Sequence, residues 1–118
     1  MSECTGPQTV SRSNMRLVGT CGPSLPGCEL KIDHEPSRDK AGEGEICFRG
    51  RHIMSGYLRN EAKTQEAIDA DGWLHSGDVG RLDEDGLLHI TGRIKELIIT
   101  AGGENIAPVP IENRLKEL

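Results

Sequence analysis

Two charged residues stand where a ligand could be met. Asp78 lies in HSGDVG, between Gly77 and Gly80, and Arg93 lies in TGRIKE. Neighbouring glycines let backbone come close to a bound molecule. A carboxylate accepts two hydrogen bonds, which suits the paired hydroxyls of a ribose. An arginine offers a fork of donors to hydroxyls or phosphate. From the residue types alone the plainer account leads: Asp78 is a turn residue and Arg93 a solvated charge.

Other patterns stop short of chemistry. DADG at 69–72 and DEDG at 83–86 resemble the start of a calcium loop. The next liganding position after Asp69 and Asp71 is Trp73, so the pattern fails and tight turns remain. Ser37 and Lys40 match a Ser-x-x-Lys spacing without the rest of that hydrolase pattern. No Walker-type or G-x-G-x-x-G phosphate loop occurs. Cys4, Cys21, Cys28 and Cys47 form no Cys-x-x-Cys pair, and His34, His52, His75 and His89 show no ligand spacing, which argues against zinc. No basic segment followed by an apolar stretch opens the chain. The cysteines are therefore expected to be reduced thiols and the location cytoplasmic.

Composition bounds the partners. Nineteen acidic and 14 basic residues give a net charge of −5, without a Lys/Arg cluster, so nucleic acid is not an expected partner. The longest apolar run is Leu97-Ile98-Ile99, too short to span a membrane. Fifteen glycines, six prolines and three aromatics among 118 residues predict many turns and short strands.

The elements follow from periodicity. A short strand is expected over 16–22, with a turn at 24–27. CELKID alternates, with Cys28, Leu30 and Ile32 on one face, and EICFRG turns Ile46 and Phe48 inward. Asn60 can cap a helix through EAKTQEAID, offering Ala62, Ala67 and Ile68 for packing. WLHSGDVGRL and LLHITGR are strands joined by a turn over Asp83–Gly86. ELIIT is strand-like and AGGEN a glycine loop. A final helix presents Ile111, Leu115 and Leu118 on one side and pairs Glu112 with Lys116, with prolines near its start. Trp73 and Tyr57 read as packing residues.

Four segments in order, MSECTGP, GEICFRGRHIMSGY, DGWLHSGDVG and TGRIKELIITAGGENIAPVPIE, resemble the adenylate-forming acyl-CoA synthetases. The wording of RHIMSGYLRNEAKTQEAID and GGENIAPVPIE is most similar to the bubblegum-type long-chain fatty acyl-CoA synthetases. The resemblance covers nearly the whole chain and implies that it is an internal piece. The family's upstream phosphate loop, the first part of its fatty-acid tunnel and its late catalytic lysine have no counterpart here.

By position, Ser2 and Glu3 match the family's Thr-Glu pair, whose hydroxyl contacts phosphate and whose carboxylate binds the magnesium of ATP. Asp78 and Arg93 match the two partners of the ribose hydroxyls. Lys95 matches the hinge between two domains, and Gly102 and Gly103 match the loop lining the coenzyme A channel. The implied fold is mostly β with an α+β C-terminal end. A small distorted β-barrel subdomain closes the large AMP-binding domain (1–92), a hinge occupies 93–95, and 96–118 begin the small C-terminal domain. The implied function is AMP-forming ligation of long-chain fatty acids to coenzyme A with ATP and Mg2+, the isolated chain being inactive. Substrates are small molecules, and peripheral membrane association is compatible with this. The alternative is a truncated, non-catalytic isoform or binding module, acting through its unpaired helix and strand edges.

Overall fold

The computed structural model describes residues 1–11 and 18–117. Four strands, β1 (Glu29–Asp33), β2 (Gly44–Arg49), β3 (Leu74–Leu82) and β4 (Leu88–Arg93), form one antiparallel sheet in sequence order. Alternation sets its faces. Leu30 pairs with Phe48 and Ile32 with Ile46, while Phe48 also pairs with Leu74. These side chains build the core with Cys4 and Leu88, and Cys21, Cys28, Ile53, Ala67 and Ile68 pack around it. Full burial of a side chain such as Ile46 or Leu74 contributes about 1.5–3 kcal/mol.

The sheet is mostly β as expected, but it does not close into a barrel among the described residues. β1 and β4 remain its edges, and four strands are too few to curl around a core. The strand expected over 16–22 lies partly outside the described residues. Over 18–22 the chain forms a turn and then an extended stretch, tied to β4 by Cys21 N–H to Leu88 O at 2.7 Å and Leu88 N–H to Gly22 O at 3.2 Å.

Helix α1 (Glu61–Ala67) begins where Asn60 Oδ1 accepts from Lys63 N–H at 3.2 Å. Both acidic loops are Asx turns. Asp69 Oδ1 accepts from the N–H groups of Asp71 and Trp73, each at 2.9 Å. Asp83 Oδ1 accepts from Asp85 at 3.0 Å and Leu87 at 2.9 Å. The aspartates that mimic a calcium loop therefore spend one oxygen each on the backbone and the other on a histidine, Asp69 Oδ2 on His75 and Asp83 Oδ2 on His89.

Beyond β4 a 3₁₀ turn (Ile94–Glu96) leads to a short hairpin, β5 (Ile98–Ile99) with β6 (Asn105–Ile106), and to helix α2 (Pro108–Lys116). β5 is shorter than ELIIT suggests because Thr100 closes the loop. Its N–H donates to Glu104 O at 2.9 Å, and its Oγ1 accepts from Glu104 N–H at 3.1 Å. The start of α2 sits close on β4: a Cβ on Gly92 would lie 3.0 Å from Ala107 Cβ. Ile111 and Leu115 are exposed, and Leu118 lies outside the described residues. The ion pair on this helix is Arg114 with Glu117 at 3.9 Å, in place of the expected Glu112–Lys116 pair.

Candidate functional site

A register irregularity sets the position of Asp78. Cys47 pairs with His75, and Glu45 pairs with Val79. Ser76, Gly77 and Asp78 of β3 therefore stand against Ile46 alone, and the strand bulges. Gly77 takes a φ of +75°, and its N–H donates to Glu45 Oε1 at 2.9 Å. Gly80 has a different reason to be glycine: a Cβ there would meet His89 O at 2.4 Å. Close approach to β4, not to a ligand, explains it.

Asp78 and Arg93 are Cα partners across β3 and β4, and Arg93 Nε lies 3.3 Å from Asp78 Oδ1. Arg93 Nη1 also approaches Glu96 Oε1 at 3.7 Å. Both Asp78 and Arg93 line a pocket of about 480 Å³ that reaches Pro110 and Asn113 of α2. The neighbouring Ser76 and Gly77 line a second, larger cleft of about 700 Å³. Glu3, Tyr57, His75 and Lys95 also border it.

The structure thus brings Glu3 and Lys95 to one cleft, with the Asp78–Arg93 pair beside it. Tyr57 is an exposed residue, not a packing one: its hydroxyl donates to Glu3 Oε1 at 3.0 Å. That bond raises the phenol's pKa above its ordinary value. Ser2 lies in the 3₁₀ turn Ser2–Cys4, is exposed and does not line the cleft. Gly102 and Gly103 sit apart, in the β5–β6 loop. Gly103 borders the loop over 36–40, whose Ser37 and Arg38 carbonyls accept from Asn105 Nδ2 at 3.4 and 3.0 Å.

Sequence reasoning missed a polar network on the sheet face opposite Ile46 and Phe48. His75 Nδ1 lies 2.9 Å from Glu45 Oε2, and Nε2 lies 3.2 Å from Asp69 Oδ2. Burial alone would lower the imidazole pKa, but Glu45 and Asp69 together hold it above its ordinary value. Burial, with Glu45 and Asp33 adding to it, pushes the Cys47 thiol up to about 12. The four cysteines are free thiols. Only the strand register, invisible in residue spacing, brings these groups together.

The family described as AMP-binding enzyme matches residues 1–58. The chain superposes on unliganded o-succinylbenzoate–CoA synthetase (MenE) of Bacillus subtilis with a TM-score of 0.86 at 32% identity, over 100% of this chain and 26% of that one. The same synthetase in complex with ATP and magnesium ion matches with a TM-score of 0.83 at 33% identity, over 98% of this chain and 24% of that one. In fold and motifs the chain is similar to the adenylate-forming enzymes.

Its curated relatives are the bubblegum-type long-chain-fatty-acid–CoA ligases. It is 61% identical over 117 residues to ACSBG2 of Gallus gallus, covering 99% of this chain and 15% of that ligase. It is 57% identical over 117 residues to ACSBG1 of Rattus norvegicus, covering 98% of this chain and 16% of that ligase. The chain therefore spans about one sixth of the length of the curated relatives it matches.

Proposed function

We propose that this chain is a working part of a long-chain-fatty-acid–CoA ligase that forms AMP. The observation that carries this reading is the 61% identity to such a ligase along 99% of the chain. The reaction has two steps. A fatty acid carboxylate attacks the α-phosphate of ATP, giving acyl-AMP and pyrophosphate. The thiol of coenzyme A then attacks the acyl carbon and AMP leaves.

In this reading Asp78 accepts from the ribose hydroxyls, and Arg93 sits as their second partner. Residues 1–92 belong to the nucleotide-binding domain and 93–95 form the hinge, with Lys95 at its centre. Residues 96–118 open the small domain, where Gly102 and Gly103 border the coenzyme A channel. Ser2 offers its hydroxyl to phosphate. Glu3 suits Mg2+: one carboxylate oxygen is oriented by Tyr57, at a cleft wide enough for the phosphates that supply the remaining ligands. Mg2+ bound there would neutralise charge on the phosphates. The enzyme would work in the cytoplasm, drawing fatty acid from a membrane surface. No helix among the described residues is long and apolar enough to cross a membrane.

The test is ligation by a full-length enzyme carrying these residues. Acyl-CoA should appear with AMP and pyrophosphate in equal amounts. Formation of ADP and phosphate would overturn the reading. The 118 residues alone, lacking a phosphate loop, should release no fatty-acid-dependent pyrophosphate.

A further inference from the structure

Asp33, Cys47 and His75 come from three adjacent strands, β1, β2 and β3. One ligand atom of each lies within 4.8 Å of the other two. Cys47 and His75 are direct Cα partners, and Cys47 is also the partner of Lys31, two residues before Asp33. Sγ and Nδ1 are 3.5 Å apart. A tetrahedral Zn2+, with Zn–S of about 2.3 Å and Zn–N of about 2.0–2.1 Å, places its sulfur and nitrogen about 3.5 Å apart. The observed spacing, which also suits an S–H···N hydrogen bond, matches that of such an ion.

The surroundings fit the same purpose. Asp69 Oδ2 lies 3.2 Å from His75 Nε2. Asp69 is itself fixed through its other oxygen by the N–H groups of Asp71 and Trp73, each at 2.9 Å. A proton on Nε2 directed at Asp69 leaves Nδ1 as the donor, in the carboxylate–histidine–metal arrangement. Glu45 Oε2, 2.9 Å from Nδ1, is a hydrogen-bond partner of the imidazole and lies outside the group of Asp33, Cys47 and His75, so the set reads N, S, O and leaves a fourth position for solvent. Cys47 is fully buried and Asp33 exposed, which gives the ion an entry from the Asp33 side. Lys31 acts on the Cys47 thiol from the cationic side, and Asp33, Glu45 and Asp69 from the anionic side.

We propose that Asp33, Cys47 and His75 form a binding site for a zinc-class divalent ion, with Asp69 orienting the imidazole. A thiolate with an imidazole selects Zn2+ over Mg2+ or Ca2+, which favour all-oxygen sites. Binding forms a metal–thiolate and a metal–imidazole bond and releases the thiol proton and any proton on Nδ1 to solvent. The ion would tie three strands together directly beside the bulge that carries Asp78. Its ligands are distinct from Glu3, although His75 and Glu45 border the same cleft, and it does not depend on the ligase reading.

The test uses the reduced 118-residue chain, stripped with chelator and titrated with Zn2+ by calorimetry and with Co2+ by absorbance. One ion per chain should bind, and Co2+ should give a thiolate charge-transfer band with tetrahedral d–d absorption. Cys47→Ser should remove the band, while Cys21→Ser and Cys28→Ser keep it. Asp69→Asn should weaken Zn2+ binding by about 10–100-fold, the range for loss of an orienting partner. A wild-type chain that gives no thiolate band with Co2+ overturns the proposal. So does a folded Cys47→Ser chain that keeps the band. If Cys47→Ser fails to fold, loss of the band in folded His75→Gln supports the site, and its retention refutes it.

Discussion

Asp78 and Arg93 face each other across β3 and β4 as register partners, with Nε 3.3 Å from Oδ1. The arginine side chain is 66% exposed and the aspartate 33%. An exposed pair of this kind contributes only about 0.2–1 kcal/mol to stability. Its significance is positional, because Asp78 stands at the bulge of β3 against β2 while staying in register with Arg93 on β4. In a full-length enzyme, Asp78→Ala should weaken ATP use by about 2–3 kcal/mol, the scale for removing a charged hydrogen-bond partner. The preference for ATP over 2′-deoxy-ATP should collapse while the melting temperature holds. An unchanged preference ratio would place Asp78 away from the ribose.

Lys95 sits in the 3₁₀ turn Ile94–Glu96, closed by Leu97 N–H to Ile94 O at 3.4 Å. Proline at 95 fixes its own φ and restricts Ile94. In a full-length enzyme Lys95→Pro should spare adenylation and slow thioester formation by about 100-fold, a barrier change of roughly 2.7 kcal/mol. Pyrophosphate exchange and acyl transfer from preformed acyl-AMP measure the two steps separately. Equal losses in both would remove the hinge assignment.

Helix α2 leaves Ile111 at 52% and Leu115 at 64% exposure. A short helix with its apolar side in water is marginal. In the isolated chain, amide exchange across 109–117 should be fast, or slowed only when the chain dimerises. Strong protection in a monomer shown by sedimentation would contradict this.

Asp39 carries a pH dependence of known sign. Its side chain is 0% exposed, with Arg38 Nη2 2.6 Å from Oδ2 and Nε 2.7 Å from Oδ1. Burial would raise its pKa, but Arg38 and the Glu35 N–H outweigh that and hold it below its ordinary 3.8. A depressed folded value means stability is present above the ordinary value and lost as pH falls through the folded one. Denaturant titrations at pH 7 and pH 3 should show wild type losing more stability than Asp39→Asn. The substitution should cost about 1–2 kcal/mol at pH 7. Parallel losses in both proteins would mean that Asp39 does not govern the acid limb.

Local elements were legible because local rules decide them. Alternation in ELKID and EICFR predicts both strands and their inward faces, and Asn60 marks the start of α1 through its own side chain. The open sheet was not legible, since closure depends on how β1 and β4 are placed and not on either strand's residues. Cys47 reads as an outward residue between Ile46 and Phe48, yet it is fully buried, because cross-strand neighbours cover that face as well. The site shows the same division. Asp78 and Arg93 were picked out by motif, but the bulge behind Asp78 exists only relative to β2. Glu3 and Lys95 share a cleft through tertiary folding that no periodicity encodes.

Trp73 is the only tryptophan in the chain. Lys31 Nζ lies 4.8 Å and the Arg49 guanidinium 4.5 Å from its ring centroid. The indole is thus a natural optical probe held between two cations, on the opposite side of the sheet from Ile46 and Phe48. Its emission responds to the separation of β1 and β2 from the loop entering β3, not to solvent reaching the apolar layer. Fluorescence therefore reads the polar face of this chain, and far-ultraviolet dichroism the strands themselves.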